Sequence, residues 1–561
     1  MKKLILSLAV LGVLFTACKK DPEIVAVEGV TLSPATATVY IDKEVTLTPT
    51  IFPSNATDKS VTWTSSNTGV ATVNTEGVVT GLSEGTTIIT AKTTDGDFEA
   101  SSIITVDLDP SICIDPDPAE VRHALNTAIR TLGNSLYLAG GNFHDAGHIM
   151  SLQLAGDLMT EDMVQTGFDW FYFDYEIDNN RMNYRRPSHT WRMMYAVIGQ
   201  VNEAIELICP STTNSDLQNI LGQCLALRAF SYHILIQRFQ QTYFGNEYQP
   251  GVPLILTSKD DDESDLSRNT VNKVYNRIEK DLIKAIDLLT AARQSKDYIN
   301  KAVAQGFLAR VYMCMHKFAQ AEELAREART AFPIMSATEA GGGYGYNSEN
   351  NSEWMWGLKA TLDNTMIYVS FQSHICSDGD GYAGLGSYKA IDNRLYNQMN
   401  TTDVRRNLHF MNVSIEVFFN TKFKSVPMWL MDNIYMRSSE MLLIEAEAQA
   451  QQGKNGQAAT TLMELMSKRD PGYNKASATV DDIFLQKRLE CWGEGVIFYD
   501  YRRLKKEVSR TYFTPFNNHL ERLGLSGTDW KFIYQIPSFV PNENPLITEA
   551  DQNPVEGDAW F

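Results

Sequence analysis

The sequence predicts a mainly α-helical protein preceded by a small all-β sandwich. Residues 24–106 are rich in Thr, Val, Ile and Ser, arranged in short alternating runs, whereas from residue 119 onward apolar residues recur at three- and four-residue steps. Alternation is typical of β-strands, and the longer step is typical of amphipathic helices. The chain has 561 residues, which is long enough for more than one domain.

The N-terminus has the composition of a secretion signal. Two lysines precede an apolar run over residues 4–15, and a small residue stands directly before Cys18. The run is too short to span a bilayer as a helix. This order resembles the bacterial lipoprotein box, which implies a signal peptide over residues 1–17, acylation of Cys18, and a short tether over residues 18–23. An ordinary signal peptide with a chance cysteine is the alternative.

Charge and cysteine content exclude several classes of partner. The chain carries 49 Lys and Arg against 68 Asp and Glu, a formal charge of −19, so phosphate backbones repel it and nucleic acid is not expected as a partner. The cysteines other than Cys18 form no C-x-x-C pair and no zinc-type cluster, so neither a metal nor a cofactor is expected. Cys224, Cys314 and Cys491 are predicted to be buried free thiols.

The first predicted domain covers residues 24–106. Its alternating runs are separated by turn-forming pairs such as Ser66-Asn67 and Asp95-Gly96, as in a sandwich of short strands. The motif Val61-Thr62-Trp63-Thr64-Ser65, with its neighbours Pro53 to Thr57 and Gly77 to Gly81, resembles the group 2 bacterial Ig-like domain. That resemblance implies a spacer, with Trp63 in the core. Residues 107–118 hold three Pro and four Asp and are predicted to form a linker.

Residues 119–561 are predicted to be helical. Apolar stripes run through residues 188–208, 217–239 and 271–292, and helix pairs are predicted at 301–331 and 434–467. Small residues where two helices cross, repeated in pairs, indicate tetratricopeptide-like units. Long polar loops rich in glycine and aromatic residues separate the pairs. Trp354 and Trp356 alternate on a predicted core strand.

This region resembles the SusD/RagB nutrient-binding lipoproteins of Bacteroidetes. The likeness is carried, in the family's order, by Ala155-Gly156-Asp157, Trp191 to Tyr195, Leu227-Arg228-Ala229, Gly251 to Leu254, Ser352 to Trp356, Arg437 to Ala448, Arg488-Leu489-Glu490, Gly493-Glu494-Gly495, Tyr499-Asp500, Arg502-Arg503 and Ile536-Pro537. It implies a lipid-anchored, outer-membrane protein facing the cell exterior. It also implies binding of an oligosaccharide and its delivery to a SusC-like TonB-dependent transporter in polysaccharide utilisation. Peptide cargo, as for RagB-like members, is the alternative.

Three carboxylates in the last stretch, Glu490, Glu494 and Asp500, raise the question of catalysis. Three arginines stand near them in the sequence: Arg488, Arg502 and Arg503. A carboxylate paired with arginine loses the raised pKa that a general acid requires, so an ion-pair network is the favoured interpretation. The chain lacks Gly-x-Ser-x-Gly, His-Glu-x-x-His and phosphate-loop motifs. We therefore expect no enzyme, and a glycan-processing activity is the less favoured alternative.

The sequence contains more residues suited to ligand binding than to catalysis. A sugar has apolar faces surrounded by hydroxyl groups. Flat aromatic rings can pack on the faces, and nearby polar groups can form hydrogen bonds with the hydroxyls. Residues 168–175 contain six aromatics, and two further glycine-rich loops present tyrosines. A buried strand is the alternative for residues 168–175. The predicted ligand-binding residues are Trp170, Tyr172, Tyr344, Tyr346 and Tyr382.

Overall fold

The computed structural model describes residues 24–107, 109, 114–141, 143–260, 265–342, 346, 348–414, 417–510, 519 and 523–555. The chain divides into two compact units, one ending at residue 114 and the other beginning at residue 115. Within the described ranges, no helix is both long enough and apolar enough to cross a membrane.

The first unit is a β-sandwich of short strands, as predicted. Its strands are β1 (Gly29–Ser33), β2 (Thr36–Tyr40), β3 (Glu44–Thr46), β4 (Thr48–Phe52), β5 (Val61–Ser65), β6 (Ala71–Val73), β7 (Val78–Gly81), β8 (Gly85–Thr93) and β9 (Glu99–Asp107). One sheet has the order β2-β9-β8-β5, a second has the order β3-β7-β6, and β1 pairs with β4. Trp63 packs against the core, with its ring over Gly77, whose φ of 82° suits glycine.

The second unit is rich in helices. They are α1 (Pro118–Gly133), α2 (Ile149–Leu158), α3 (Tyr172–Tyr175), α4 (Arg185–Leu207), α5 (Ser215–Phe239), α6 (Val271–Leu288), α7 (Lys301–Cys314), α8 (Phe318–Arg329), α9 (Ala337–Gly342), α10 (Phe371–Ile375), α11 (Asn393–Tyr396), α12 (Ser438–Gln451), α13 (Asn455–Met466), α14 (Val480–Glu490), α15 (Ile497–Arg503) and α16 (Val540–Glu543). Short 3-10 helices lie at Leu136–Ala139, Ile367–Val369, Val404–Leu408, Pro427–Trp429, Trp530–Phe532 and Glu549–Asp551.

Local sequence explains where the long helices begin. The side chains of Asn214, Thr270 and Asn300 cap α5, α6 and α7 by accepting hydrogen bonds from free backbone N–H groups of the first turn. Each of the helices α4 to α8 packs on the next, and α8 packs on α12, which packs on α13. The predicted helix pairs at 301–331 and 434–467 are therefore confirmed as α7–α8 and α12–α13.

Short strands within the loops of this unit pair with one another. They are β10 (Met163–Gln165), β11 (Trp354–Leu358), β12 (Lys389–Ile391), β13 (His409–Asn412), β14 (Val417–Asn420), β15 (Asn433–Arg437), β16 (Val508–Ser509) and β17 (Gly524–Leu525). One sheet has the order β10-β12-β14-β13, and β11 pairs with β15. Trp354 and Trp356 are buried on β11, which confirms their predicted place in the core.

Two details of the second unit refine the sequence predictions. Asp115 accepts hydrogen bonds from the Cys209 backbone N–H and the Thr212 hydroxyl, so the end of the predicted linker belongs to this unit. Cys224, Cys314 and Cys491 are buried and free, as predicted, and so is Cys376. Cys209 is disulfide-bonded.

Candidate functional site

Six rings from distant parts of the second unit form a continuous surface, which we call the aromatic arc: Phe143, His144, Trp170, Tyr382, Tyr368 and Trp429. Neighbouring ring centroids along the arc are 5.1 to 6.4 Å apart. Tyr368 is 47% exposed, and the other five residues are half-buried. The arc therefore combines rigid packing with access from solvent.

The small sheet explains why two distant loops meet in the arc. Strands β10 and β12 are antiparallel, with Gln165 opposite Lys389. The segment that leaves β10 carries Trp170, and the segment that enters β12 carries Tyr382. Because antiparallel pairing places the end of one strand beside the start of the other, both rings lie at the same end of the sheet.

A chain of hydrogen bonds links three members of the arc. The Trp170 indole N–H donates to the Tyr382 hydroxyl oxygen over 2.9 Å, and that oxygen lies 3.0 Å from Nδ1 of His144. Since the oxygen already accepts a hydrogen bond from the indole N–H, the hydroxyl can donate its own hydrogen bond to a neutral His144. Burial and the nearby His374 lower the pKa of His144, which favours this neutral form.

Charged groups beneath the arc are paired. The Arg185 guanidinium lies 5.5 Å from the Trp170 ring centroid and donates two hydrogen bonds to the Asp145 carboxylate. Asp169 and Lys389 form a buried pair at 2.7 Å. Burial disfavours the charged form of Asp169, but Lys389 and His374 together hold the pKa of its carboxyl well below the usual range. Paired charges of this kind suit a neutral ligand better than an ionic one.

A small polar cleft, with a cavity volume of about 20 Å³, adjoins the Trp429 end of the arc. Its lining includes His148, Asn364, Thr365, Ser370, Gln372 and Trp429. The Gln372 amide N–H donates to the Ser425 hydroxyl at 2.9 Å, while its buried amide oxygen has no hydrogen-bond partner among the described residues. Rings beside a polar cleft provide both kinds of contact that a sugar requires.

The structure brings together two of the five predicted ligand-binding residues, Trp170 and Tyr382. Tyr172 belongs to a separate group with Phe168 and Phe173, in which Phe168 is 73% exposed. The segment 168–175 is not the buried strand considered as an alternative, because residues 169–171 form a turn and Tyr172–Tyr175 form the short helix α3. Tyr344 lies outside the described residues, as does the predicted lipidation site Cys18.

The prediction for Tyr346 requires correction. Its ring is buried at 1% exposure, lies 4.6 Å from the Lys422 ammonium and packs against Phe423. A ring held in this way is not presented on an open loop. Flanking glycines suggested flexibility, but a cationic group opposite the ring provides a buried partner that the sequence pattern does not reveal.

Sequence reasoning missed four members of the arc: Phe143, His144, Tyr368 and Trp429. None lies in a dense aromatic run, and Trp429 follows a proline in an otherwise unremarkable segment. One signal was available, because Phe143 and His144 follow a Gly-Gly pair, which marks a turn at the surface. Their contact with Trp170 depends on tertiary packing and has no local signature.

The carboxylates Glu490 and Glu494 belong to what we call the ion-pair core: Glu353, Lys422, Arg437, Arg469, Glu490 and Glu494. Arg469 donates to Glu490 at 3.0 Å, and Arg437 donates to Glu494 at 2.7 Å. Burial opposes ionisation, but Arg469 and Arg437 hold the pKa of Glu490 well below its usual range. Arg437 and Lys422 likewise lower the pKa of Glu494. Neither carboxyl is set up as a general acid.

The predicted partners in this network were only partly right. Arg503 does bind Asp500, at 2.7 Å. Arg488 instead binds Glu161 and Asp162, and Arg502 donates to backbone carbonyls at the end of α5. Arginines near in sequence pointed to the correct kind of interaction, whereas the actual partners come from other elements.

A second cavity, of about 60 Å³, lies among the helices. Its lining includes Gln153, His233, Cys314, Lys487 and Asp500. Lys487 and Asp500 form a buried pair at 2.7 Å, and burial raises the pKa of the Cys314 thiol to about 11, so the thiol stays protonated. The lining charges are already satisfied, and the arc remains the better candidate for recognising a ligand.

Comparisons with known families match three parts of the chain. Residues 137–313 match the family described as "Starch-binding associating with outer membrane", and residues 391–553 match the SusD family. Together these two matches cover more than half of the chain. Residues 26–104 match the group 2 bacterial Ig-like domain.

Solved structures similar to this chain share its fold. A SusD-like carbohydrate binding protein from Bacteroides vulgatus ATCC 8482 has a TM-score of 0.67 at 21% identity, covering 78% of this chain and 98% of that one. Surface glycan-binding protein A from Bacteroides uniformis has a TM-score of 0.60 at 18% identity, covering 78% and 99%. A laminarin binding SusD-like protein has a TM-score of 0.59 at 17% identity, covering 79% and 100%.

Curated relatives match over a short stretch only. An Ig-like virion protein of Serratia phage KSP90 is 53% identical over 74 residues, which are 13% of this chain and 29% of that protein. A kappa-carrageenase of Pseudoalteromonas carrageenovora is 48% identical over 69 residues, 12% of this chain and 17% of that protein. The chain thus spans less than a third of these relatives, and the matches are about as long as one Ig-like domain. From the family matches and the shared fold, the chain belongs to the SusD family and carries an N-terminal group 2 bacterial Ig-like domain.

Proposed function

We propose that this protein binds a neutral oligosaccharide at the cell surface and delivers it to a SusC-like TonB-dependent transporter. The observation that carries the proposal is the aromatic arc, in which half-exposed rings stand beside a polar cleft. Aromatic rings cover the apolar faces of a sugar while polar groups bind its hydroxyls. The names of solved neighbours, which include carbohydrate-binding and laminarin-binding proteins, support the same ligand class.

We propose a binding function without catalysis. The two carboxylates that stand one helical turn apart, Glu490 and Glu494, are both engaged by cations in the ion-pair core. Hydrolysis of a glycosidic bond requires a pair of carboxyl groups flanking the bond, one of which keeps its proton near neutral pH, and neither member of this pair does so. Incubation of the purified protein with a polysaccharide panel would reveal released sugars if this part of the proposal were wrong.

Binding is tested by calorimetry with residues 19–561 against laminarin, starch, xylan and a peptide library. Trp170→Ala and Tyr368→Ala should each weaken glycan binding about fivefold, near the lower end of the range for ring stacking. Tyr248→Ala, which removes an 87% exposed tyrosine outside the arc, is the matched control. Binding of peptides alone would replace the proposed ligand class, and unchanged affinity in both arc variants would place the site elsewhere.

The anchoring and spacing proposals have separate tests. We propose a lipid anchor at Cys18, an Ig-like spacer over residues 24–106, and a binding domain from residue 119. Cys18→Ala should move the protein from the membrane fraction to the soluble fraction. Deletion of residues 24–106 should leave the cooperative melt and the glycan affinity of the remaining chain intact. Loss of the melt would show that the two units do not fold independently.

A further inference from the structure

Tyr368 and Trp429, the two rings at one end of the arc, lie in backbone turns of unusual conformation. Ile367, directly before Tyr368, has a φ of 47°. Met428 and Trp429 have φ values of 60° and 63°. Residues with side chains rarely adopt this left-handed conformation, and β-branched or bulky residues are the least suited to it. Such conformations persist only where the surrounding structure imposes them, and they concentrate at ligand-binding positions.

Hydrogen bonds tie the two turns to each other and to the interior. The Thr365 hydroxyl donates to the Trp429 carbonyl at 2.8 Å, which joins the turns. The backbone N–H of Ser370 donates to the Ile367 carbonyl at 3.0 Å. Nε2 of the buried His148 lies 2.8 Å from the Val369 carbonyl, which anchors the first turn. These contacts fix the turn geometry.

Side-chain burial does not account for the strained conformation. The side chains of Ile367 and Met428 are 49% and 61% exposed, so neither gains much from packing. What the two turns do achieve is the placement of Tyr368 and Trp429, whose ring centroids are 5.4 Å apart with an interplanar angle of 55°. Rings at that separation are in direct contact, so a ligand lies across the pair and not between them.

We propose that Ile367 and Met428 are positioning residues for Tyr368 and Trp429, two rings of the arc to which the proposed function assigns stacking on a neutral sugar. Their left-handed backbone holds both rings in the binding geometry before the ligand arrives. A pre-organised pair avoids the entropy loss of ordering two large side chains on binding. This inference rests on the proposed function for its ligand class, but the positioning itself can be measured without ligand.

The test compares Met428→Gly with Met428→Ala. Both variants lose the same side chain, but glycine adopts a φ of 60° without strain and also gains access to other conformations, whereas alanine keeps the strain. We expect Met428→Gly to melt no lower than Met428→Ala. We also expect it to show faster amide hydrogen exchange over residues 428–430 and to bind about fivefold more weakly, as for a contact that must be ordered on binding. If Met428 had a purely structural role, the variant that melts no lower would not also be the variant that binds more weakly.

The probe is whichever of laminarin, starch and xylan the wild-type protein binds most tightly. Equal affinity of the two variants, or a lower melting temperature for Met428→Gly, would overturn the inference. If the wild type binds none of the three, the proposed function fails, and the exchange comparison then decides the positioning role alone. Ile367→Gly against Ile367→Ala repeats the comparison on the first turn.

Discussion

The aromatic arc and the ion-pair core differ in how their polar groups are bound and in how much of their surface stays accessible. In the ion-pair core the charged groups are buried and bound to one another, as Arg437 is to Glu494 at 2.7 Å. In the arc the rings are half-exposed, and their polar atoms bind neutral groups, as Trp170 does with Tyr382. Mutually satisfied buried charges specify the packing of the fold, whereas rings with accessible surface remain available to a ligand.

Two tyrosines from glycine-rich loops illustrate this difference. Tyr346 lies against Lys422 and Arg437 of the ion-pair core, and burial raises the pKa of its hydroxyl far above the usual value. Tyr382 lies in the arc, half-buried, with its hydroxyl shared between an indole and an imidazole. The sequence surroundings are alike, so the side chain that faces each ring decides its role.

The largest expected effect comes from the ion-pair core. Glu490→Gln removes one carboxylate from a buried cluster and leaves Arg469 without its main partner. Breaking a buried pair in this way should reduce the free energy of unfolding by about 3–5 kcal/mol, measured by denaturant titration. Glycan affinity of the folded fraction should not change, because the residue does not contact the arc.

The control for this prediction is Glu464→Gln. Glu464 binds Arg329 at 2.7 Å but is 50% exposed, so its loss should reduce stability by less than about 1 kcal/mol. Comparable losses in the two variants would mean that burial does not distinguish the ion-pair core from surface pairs. If folded Glu490→Gln lost glycan binding, the ion-pair core would contribute to ligand binding and would not differ from the aromatic arc in that role.

The next expected effect appears as a change in stability with pH and concerns a carboxyl beside the ion-pair core, Asp157, to which no cation binds among the described residues. Asp157 accepts a hydrogen bond from the Gly495 N–H, and burial raises its pKa to about 8. Because the folded state holds this proton more tightly than the unfolded state, its stabilising contribution is full below about pH 4 and is lost as pH rises towards 8. The slope approaches about 1.4 kcal/mol per pH unit in that window.

Asp157→Asn should remove this slope. The asparagine oxygen can still accept the Gly495 N–H, so melting temperatures of variant and wild type should be similar at pH 4 and should diverge as pH rises to 8, with the variant higher. A variant that tracks the wild type at both pH values would show that Asp157 ionises normally in the folded protein.

The fold could be predicted from the sequence to a large extent, and the particular elements show why. Periodicity marked the helices now seen as α4 to α8. Helices α4, α6 and α8 each bury one apolar stripe, whereas α5 and α7 are buried on nearly all sides. The Ig-like unit was recognisable because its strands alternate and its turns are marked by Gly and Asn. The ion pairs were foreseen as a class, but Arg437 and Arg469 were not named as partners, since they come from elements distant in the chain.

The site could be predicted only in part. Trp170 stood out because it lies in a dense aromatic run, and Tyr382 because it lies in a glycine-rich loop. Phe143, His144, Tyr368 and Trp429 join them only after β10 pairs with β12 and the neighbouring loops pack together. The left-handed backbone of Ile367 and Met428 could not be foreseen either, because neither residue favours that conformation.

The smallest expected effect tests whether the hydrogen-bond chain in the arc matters beyond ring packing. Tyr382→Phe keeps the ring but removes the acceptor of the Trp170 N–H and the donor to His144. Loss of this hydroxyl should reduce stability by about 1 kcal/mol and weaken glycan binding by a few-fold, because Trp170 is less firmly oriented. Tyr388→Phe is the matched control, since that ring lies in the same segment and stacks on Phe419 at 3.9 Å.

Tyr382→Phe should also change how glycan affinity depends on pH. Burial and His374 lower the pKa of His144 below 6.5, so the neutral imidazole that accepts the Tyr382 proton is fully present above pH 6.5 and is lost as pH falls through the lowered value. Wild-type affinity should therefore decline on acidification, measured by calorimetry between pH 7.5 and 4.5, and Tyr382→Phe should flatten that decline. If Tyr382→Phe binds as tightly as wild type with the same pH profile, ring packing alone maintains the arc and its hydrogen bonds are incidental. If Tyr388→Phe shows the same loss, the effect belongs to the whole loop and not to the hydroxyl that joins Trp170 to His144.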